Sequence, residues 1–267
     1  MVNCCAGSAI VFTWAAVLLL VFSNIAQINP NSVPRHLRIV SIDTSGLAEA
    51  LSASSGAAIS NFTNIYAPDN TPYFTKNSEE TRHDGLRKTY EWGLWSYCSS
   101  NGAVGEDRSY CEDASIYPAF QPAKVLLGDI PSDYSNQLQE TLPENVFSAS
   151  DYLGHYTRVA SYLILVGSLS TALAAIFALF ARRCAFTLAA IFSIISFLAL
   201  AVGLVIYTVI FERAIQAIND ATVSGFKVGL TLSYGNALWI LWAACGCMLF
   251  AIPPTALACC FGRNDKR

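Results

Sequence analysis

Residues 185–211, AFTLAAIFSIISFLALAVGLVIYTVIF, contain no Asp, Glu, Lys or Arg. A helix needs roughly 20 apolar residues to cross the hydrocarbon core of a bilayer, so this stretch reads as a membrane span. Working outward, residues 9–28, 159–180 and 237–260 are equally free of charge and long enough to do the same. Lipid offers no water to pair with backbone groups, which makes such segments helical. None of them shows the weak alternation of a transmembrane barrel strand. Composition agrees: 54% of the 267 residues are hydrophobic and 13% are charged, against about a quarter charged in soluble domains. The expected fold is therefore a mainly α membrane protein, a four-transmembrane-helix bundle. Its net charge of −3 removes nucleic acid as a main partner.

Basic residues orient the bundle. Arg182 and Arg183 lie in the short loop 181–184, and Arg263, Lys266 and Arg267 in the tail 261–267. Since Lys and Arg mark the cytosolic side, segments 1–8, 181–184 and 261–267 are expected in the cytosol, with 29–158 and 212–236 outside. In the second outer loop Arg213 and Lys227 are balanced by Glu212 and Asp220. Span 9–28 could also be a secretory signal, but no Lys or Arg precedes it and no clean small-x-small site follows its apolar centre, so it is read as an uncleaved anchor. The spans hold no ionisable carboxylate or amine of the kind an ion-coupled transporter uses at membrane depth. Gly167, Thr171 and Ala175, and Ser196, Ala199 and Gly203, are small residues that let helices pack closely. Pro253 and Pro254 should kink the fourth span near its inner end.

Segment 29–158 carries sixteen of the nineteen acidic residues and nine of the sixteen basic ones, a local net of −7. It reads as an acidic outer domain. Residues 41–64 are rich in Ser, Ala, Gly and Asn, and part of this stretch reads as an insertion without much core of its own. Strand signals flank it: Leu37, Ile39, Val40 and Ile42, then Tyr90, Trp92 and Leu94 alternating with Glu91 and Gly93. The clearest alternation is Phe226, Val228, Leu230, Leu232 and Tyr234 against Lys227, Gly229, Thr231 and Ser233, which predicts one unbroken strand in the second outer loop. A small extracellular antiparallel sheet is expected, built mainly by the first loop and joined by that strand. Ala214, Ile215, Ile218 and Ala221 continue a helical period past Phe211, so the third helix should project beyond the lipid.

Of nine cysteines, only Cys98 and Cys111 fall in the outer loops, where the compartment is oxidising. A disulfide between them is expected, closing a loop worth on the order of 3 kcal/mol in the chain-entropy model. Asn101-Gly102 and Gly105 supply turn chemistry for a hairpin between the two cysteines.

Immediately before Cys98 stands Glu91-Trp92-Gly93-Leu94-Trp95-Ser96-Tyr97. Two tryptophans beside a membrane invite the reading of an interfacial aromatic belt. The set Trp92, Gly93, Leu94, Trp95, Cys98 and Cys111, in the first outer loop of a four-span chain, also resembles the claudin signature. Within claudin-like proteins the chain is most similar to the fungal Sur-seven/PalI family, which has a longer acidic first loop. Claudins proper commonly end in a PDZ-binding terminus, whereas this chain ends Asp265-Lys266-Arg267. The resemblance implies a plasma-membrane protein of static domains such as eisosomes, with roles in membrane organisation, cell-wall integrity and endocytosis. The PalI branch takes part in ambient-pH sensing and carries a long cytosolic tail, whereas only seven residues follow Cys260 here.

Chemistry-bearing motifs are sparse. There is no Walker loop, His-Glu-x-x-His or Gly-x-Ser-x-Gly, and His36, His83 and His155 are scattered, so no catalytic, metal or cofactor residues are assigned and no enzyme is expected. Glu79-Glu80, Glu106-Asp107 and Glu112-Asp113 read as a solvated acidic face rather than a cation loop. Asn61-Phe62-Thr63 is a glycosylation sequon. Cys4, Cys5, Cys259 and Cys260 flank the bundle at its cytosolic side and are candidates for palmitoylation, the alternative being that each is a small apolar residue. Cys245 and Cys247 read as packing residues.

The expected function is a non-enzymatic membrane organiser in contact with the lipid bilayer, further copies of itself, other four-span proteins or cell-wall components. The long third span fits a thick bilayer or a helix that extends past it. A cation-channel subunit or permeability regulator, using the acidic loops to concentrate cations, and a pH or surface sensor are the alternatives.

Overall fold

The computed structural model describes residues 2–27, 36–55, 63–67, 85–102, 109–112, 114–115, 120–133, 135–136, 150–180, 183–219, 222–223 and 226–261. Four helices are long and apolar enough to cross a membrane: α1 (Val2–Asn24), α4 (Ser150–Leu179), α5 (Arg183–Asn219) and α6 (Asn236–Phe261). Between α1 and α4 come β1 (Val40–Asp43), α2 (Leu47–Ser55), β2 (Thr89–Trp92), β3 (Tyr97–Ser100), β4 (Ser109–Cys111) and α3 (Pro122–Asp129). Between α5 and α6 lie β5 (Thr222–Val223), β6 (Phe226–Lys227) and β7 (Thr231–Tyr234).

The chain forms two compact units. The first comprises Met1–Asn24, Val159–Tyr207 and Leu238–Arg267. Its burial is the reverse of a soluble bundle: Leu18, Leu198 and Phe250 are exposed, while Ala9, Thr13, Ala16, Ala174, Ser196 and Ala244 are buried. That distribution is what lipid imposes, since tails solvate large aliphatic side chains and close helix approach depends on small ones. The α6 helix continues through Pro253 and Pro254. The molecule is thus a multi-pass membrane protein.

The second unit comprises Ile25–Arg158 and Thr208–Ala237. Its centre is a five-stranded sheet in the order β4-β3-β2-β1-β7, with every pairing antiparallel. One row across it reads Ser233, Ser41, Glu91, Cys98, Cys111, and the next Tyr234, Val40, Trp92, Tyr97. Because side chains alternate along a strand, the polar row and the aromatic row point to opposite faces. Beside the aromatic row, α3 starts with Pro122, whose missing N–H is no loss in a first turn. Phe120 precedes α3 and is buried, as are Leu126 within it and Ile130 at its end.

Two expectations need adjustment. The described part of segment 41–64 has a core: β1 occupies 40–43, and Leu47 and Leu51 of α2 are buried, while 56–62 lie outside the described residues. The small residues permit this, since Gly46 lies against the backbone of Gly229. The run 226–234 is not one strand. Gly229 takes φ +74°, a left-handed conformation that breaks the pleat, so β6 pairs with β5 in a separate hairpin and only β7 joins the main sheet. The described residues of 212–236 therefore hold three short strands rather than one, and residues 212–219 are helical as expected, since α5 runs to Asn219. The last turns of α5 bury Phe211, Ala214 and Ile218 in this unit.

Candidate functional site

The Trp-Gly-Leu-Trp motif closes the β2–β3 hairpin. Trp92 ends β2, and the Gly93 N–H donates to the Ser96 carbonyl at 2.9 Å, so the chain reverses over four residues before Tyr97 begins β3. Each position has a separate task. Trp92, 6% exposed, meets Tyr90 and Tyr97 at ring-centroid distances of 6.0 and 5.7 Å and packs edge-to-face on Phe120 at 5.3 Å. Phe120 in turn meets Phe211 edge-to-face at 5.2 Å. Such offset and T-shaped pairs are the arrangements that ring quadrupoles favour. Leu94 is fully buried. Trp95 is half-buried, and its carbonyl accepts the Ser115 N–H at 2.8 Å. A Cβ at Gly93 would strike the Ala26 carbonyl, so only glycine lets this turn sit against the segment that follows α1.

That segment turns on Gln27, a buried non-glycine residue at φ +56°. Such a conformation costs on the order of 1 kcal/mol or more unless its surroundings enforce it. Here they do. The Ser96 hydroxyl donates to the Gln27 carbonyl, and the Gln27 side-chain amide donates to the Leu37 carbonyl at 3.0 Å and to Glu91 Oε2 at 3.1 Å. Cys98 Sγ lies 3.6 Å from the same Gln27 carbonyl, but as half of a disulfide it has no proton to donate, so that contact is van der Waals only. Glu91 is buried, and Arg38 Nη1 stands 3.5 Å from its Oε1. The Arg38 backbone is clipped to the start of α6: its N–H donates to Asn236 Oδ1 at 3.0 Å and its carbonyl accepts from Ala237 at 2.8 Å. The Asn236 amide donates to the His36 carbonyl at 2.7 Å.

Cys98 and Cys111 form a disulfide between residues directly opposite each other on β3 and β4. On the aromatic face, burial pushes the Tyr90 phenol well above its usual range, and the negative charge of Asp129 adds to the shift. The phenol accepts the Arg87 N–H at 3.0 Å and donates to Asp129 Oδ2 at 2.8 Å. Burial, with a 2.6 Å hydrogen bond to Glu212, raises Tyr234 to about 12.

The four motif residues and both cysteines therefore come together in two consecutive hairpins that share β3. Asn61 lies outside the described residues, and so do the side chains of Cys4, Cys5, Cys259 and Cys260, whose backbone belongs to α1 and α6. Gln27, Arg38 and Asn236 were not found from sequence, because their roles arise from pairings far along the chain. Glu91 carried a local signal, a lone charge in an alternating apolar strand.

The fold is claudin-like, and the SUR7/PalI family profile matches residues 5–251. The chain belongs to the SUR7/PalI family. A search of curated proteins returns no match. The family match covers the spanning helices up to Ala251 and both segments that build the sheet, so the SUR7/PalI assignment rests on the fold as a whole and not on the motif alone.

Proposed function

We propose that this SUR7/PalI protein is a non-enzymatic organiser of the plasma membrane, contributing to membrane-domain (eisosome) organisation, cell-wall integrity and endocytosis. One observation carries the reading. The residues best suited to gripping a ligand, Trp92 and its aromatic neighbours, are spent in the core of a disulfide-stapled hairpin. A preformed sheet carried on a multi-pass anchor suits lateral contacts with copies of itself, with other four-span proteins or with cell-wall components. Charge distribution supports both termini in the cytosol and the acidic unit outside. A glycan at Asn61 and acyl chains at Cys4, Cys5, Cys259 and Cys260 complete the proposal, the acyl chains adding membrane affinity that tunes lateral sorting.

Imaging of a fluorescently tagged chain in a fungal cell tests it. Stable cortical patches that recover slowly after photobleaching are expected, dispersing when Trp92→Ala loosens the hairpin. A uniform surface signal with altered membrane conductance would replace the organiser with a cation-permeability regulator.

A further inference from the structure

Within the first unit, α4 and α5 are joined by hydroxyl contacts that close packing alone does not require. Ser161 Oγ and Tyr207 Oη lie 2.6 Å apart and buried. Further along the pair, Thr171 Oγ1 and Ser196 Oγ lie 2.5 Å apart, and both reach the Gly167 carbonyl, at 2.8 and 3.0 Å. Two hydroxyls hold two protons, so one must donate to the carbonyl while the other donates to its neighbouring oxygen. The contact is therefore shared across the helices and is not a pair of separate back-bonds. The spacing is also regular: ten residues separate Ser161 from Thr171 on α4, and eleven separate Tyr207 from Ser196 on the antiparallel α5. Continued one turn further, the same register sets Ala174 opposite Ser193. Both are fully buried, and Ser193 Oγ has no hydrogen-bond partner among the described residues.

Part of this register is held by apolar packing, since Gly167 seats Leu200 and Gly203 lies against Ala160 and Ile164. Elsewhere alanine recurs on the buried faces, at Ala160, Ala174, Ala175 and Ala178 of α4 and at Ala189 and Ala199 of α5, small side chains that add little directional constraint of their own. A slip would separate the hydroxyl partners in a medium without water to replace them. We propose that α4 and α5 are a hydroxyl-zipped pair whose register in lipid is set by the Ser161–Tyr207 and Thr171–Ser196–Gly167 rungs, with Ser193 a vacant third rung that takes up a hydroxyl placed at residue 174.

The test is a double-mutant cycle on the full chain in mixed micelles, following SDS-driven unfolding of Thr171→Val, Ser196→Ala and the double variant. Interhelical hydrogen bonds in membranes predict a coupling of about 3-fold to 20-fold in the unfolding equilibrium constant. Should Thr171→Val fail to fold, Ser161→Ala with Tyr207→Phe forms the second cycle. Register is read separately by a short thiol crosslinker bridging Phe177→Cys and Phe192→Cys, whose parent rings stack at 5.6 Å. Its yield should drop at least several-fold when Thr171→Val and Ser196→Ala are combined. Ala174→Ser should stabilise the parent chain, and that gain should vanish beside Ser193→Ala. Additive single effects with an unchanged crosslink, or an Ala174→Ser effect indifferent to Ser193, would overturn the proposal.

Discussion

Glu91 is a carboxylate at the centre of a sheet, and its neighbours decide what each substitution does. Arg38→Ala leaves a buried charge with less compensation, whereas Glu91→Gln removes the charge and keeps a group able to bond the Gln27 amide. Stranding a buried charge costs more than neutralising it. Thermal unfolding should therefore show Arg38→Ala as the more destabilised, and equal midpoints would mean the ion pair carries nothing. Tyr90 makes the opposite case, a buried group held neutral. Removing its hydroxyl in Tyr90→Phe leaves the Arg87 N–H and the Asp129 carboxylate without that bond, a loss of about 1–3 kcal/mol at neutral pH. Its pH signature is alkaline. Below the ordinary phenol value of 10.0 both folded and unfolded chains are protonated. As pH rises above that value the unfolded chain releases its proton first, so stability falls with pH until the folded phenol also ionises. Tyr90→Phe should flatten this decline in an alkaline unfolding series. The remaining slope between 10.0 and about 12 would belong in part to Tyr234.

At the scale of elements, the β3–β4 hairpin depends on its staple. Its strands have four and three residues, too few ladder bonds to hold a hairpin unaided. Cys98→Ser should lose on the order of 3 kcal/mol and retain the chain in the secretory pathway. Normal surface delivery with an unchanged midpoint would deny the bridge a structural role. This element was legible in sequence, since two cysteines and a turn signal lay close together. The segment 226–234 was not. Period-2 alternation from Phe226 to Tyr234 is a correct pattern for a strand, but it does not report backbone conformation at Gly229. There the left-handed turn lies against Gly46, a residue far away in sequence whose carbonyl a Cβ at 229 would meet. The helix α2 escaped notice for a related reason. Leu47 and Leu51 are only two bulky residues in a polar stretch, and their burial depends on what they pack against.

For the whole molecule, protease protection and an impermeant thiol label give a direct prediction. After reduction, Cys98 and Cys111 should react from outside intact cells, while tags at both termini stay protected. Labelling of the pair only after permeabilisation would invert the proposed topology and remove the organiser reading with it. The sequence by itself determined the solvent of each segment, because uninterrupted apolar length is a one-dimensional property that lipid or water reads locally. It also determined the hairpin and its crosslink, whose partners are close along the chain. Tertiary structure alone decided that Gln27, Arg38, Glu91 and Asn236 meet, that Ser41 lies between Ser233 and Glu91, and that Trp92 is core rather than surface. Those facts depend on strand order and register. These follow from the free energy of many distant contacts made together, which no single stretch of chain contains.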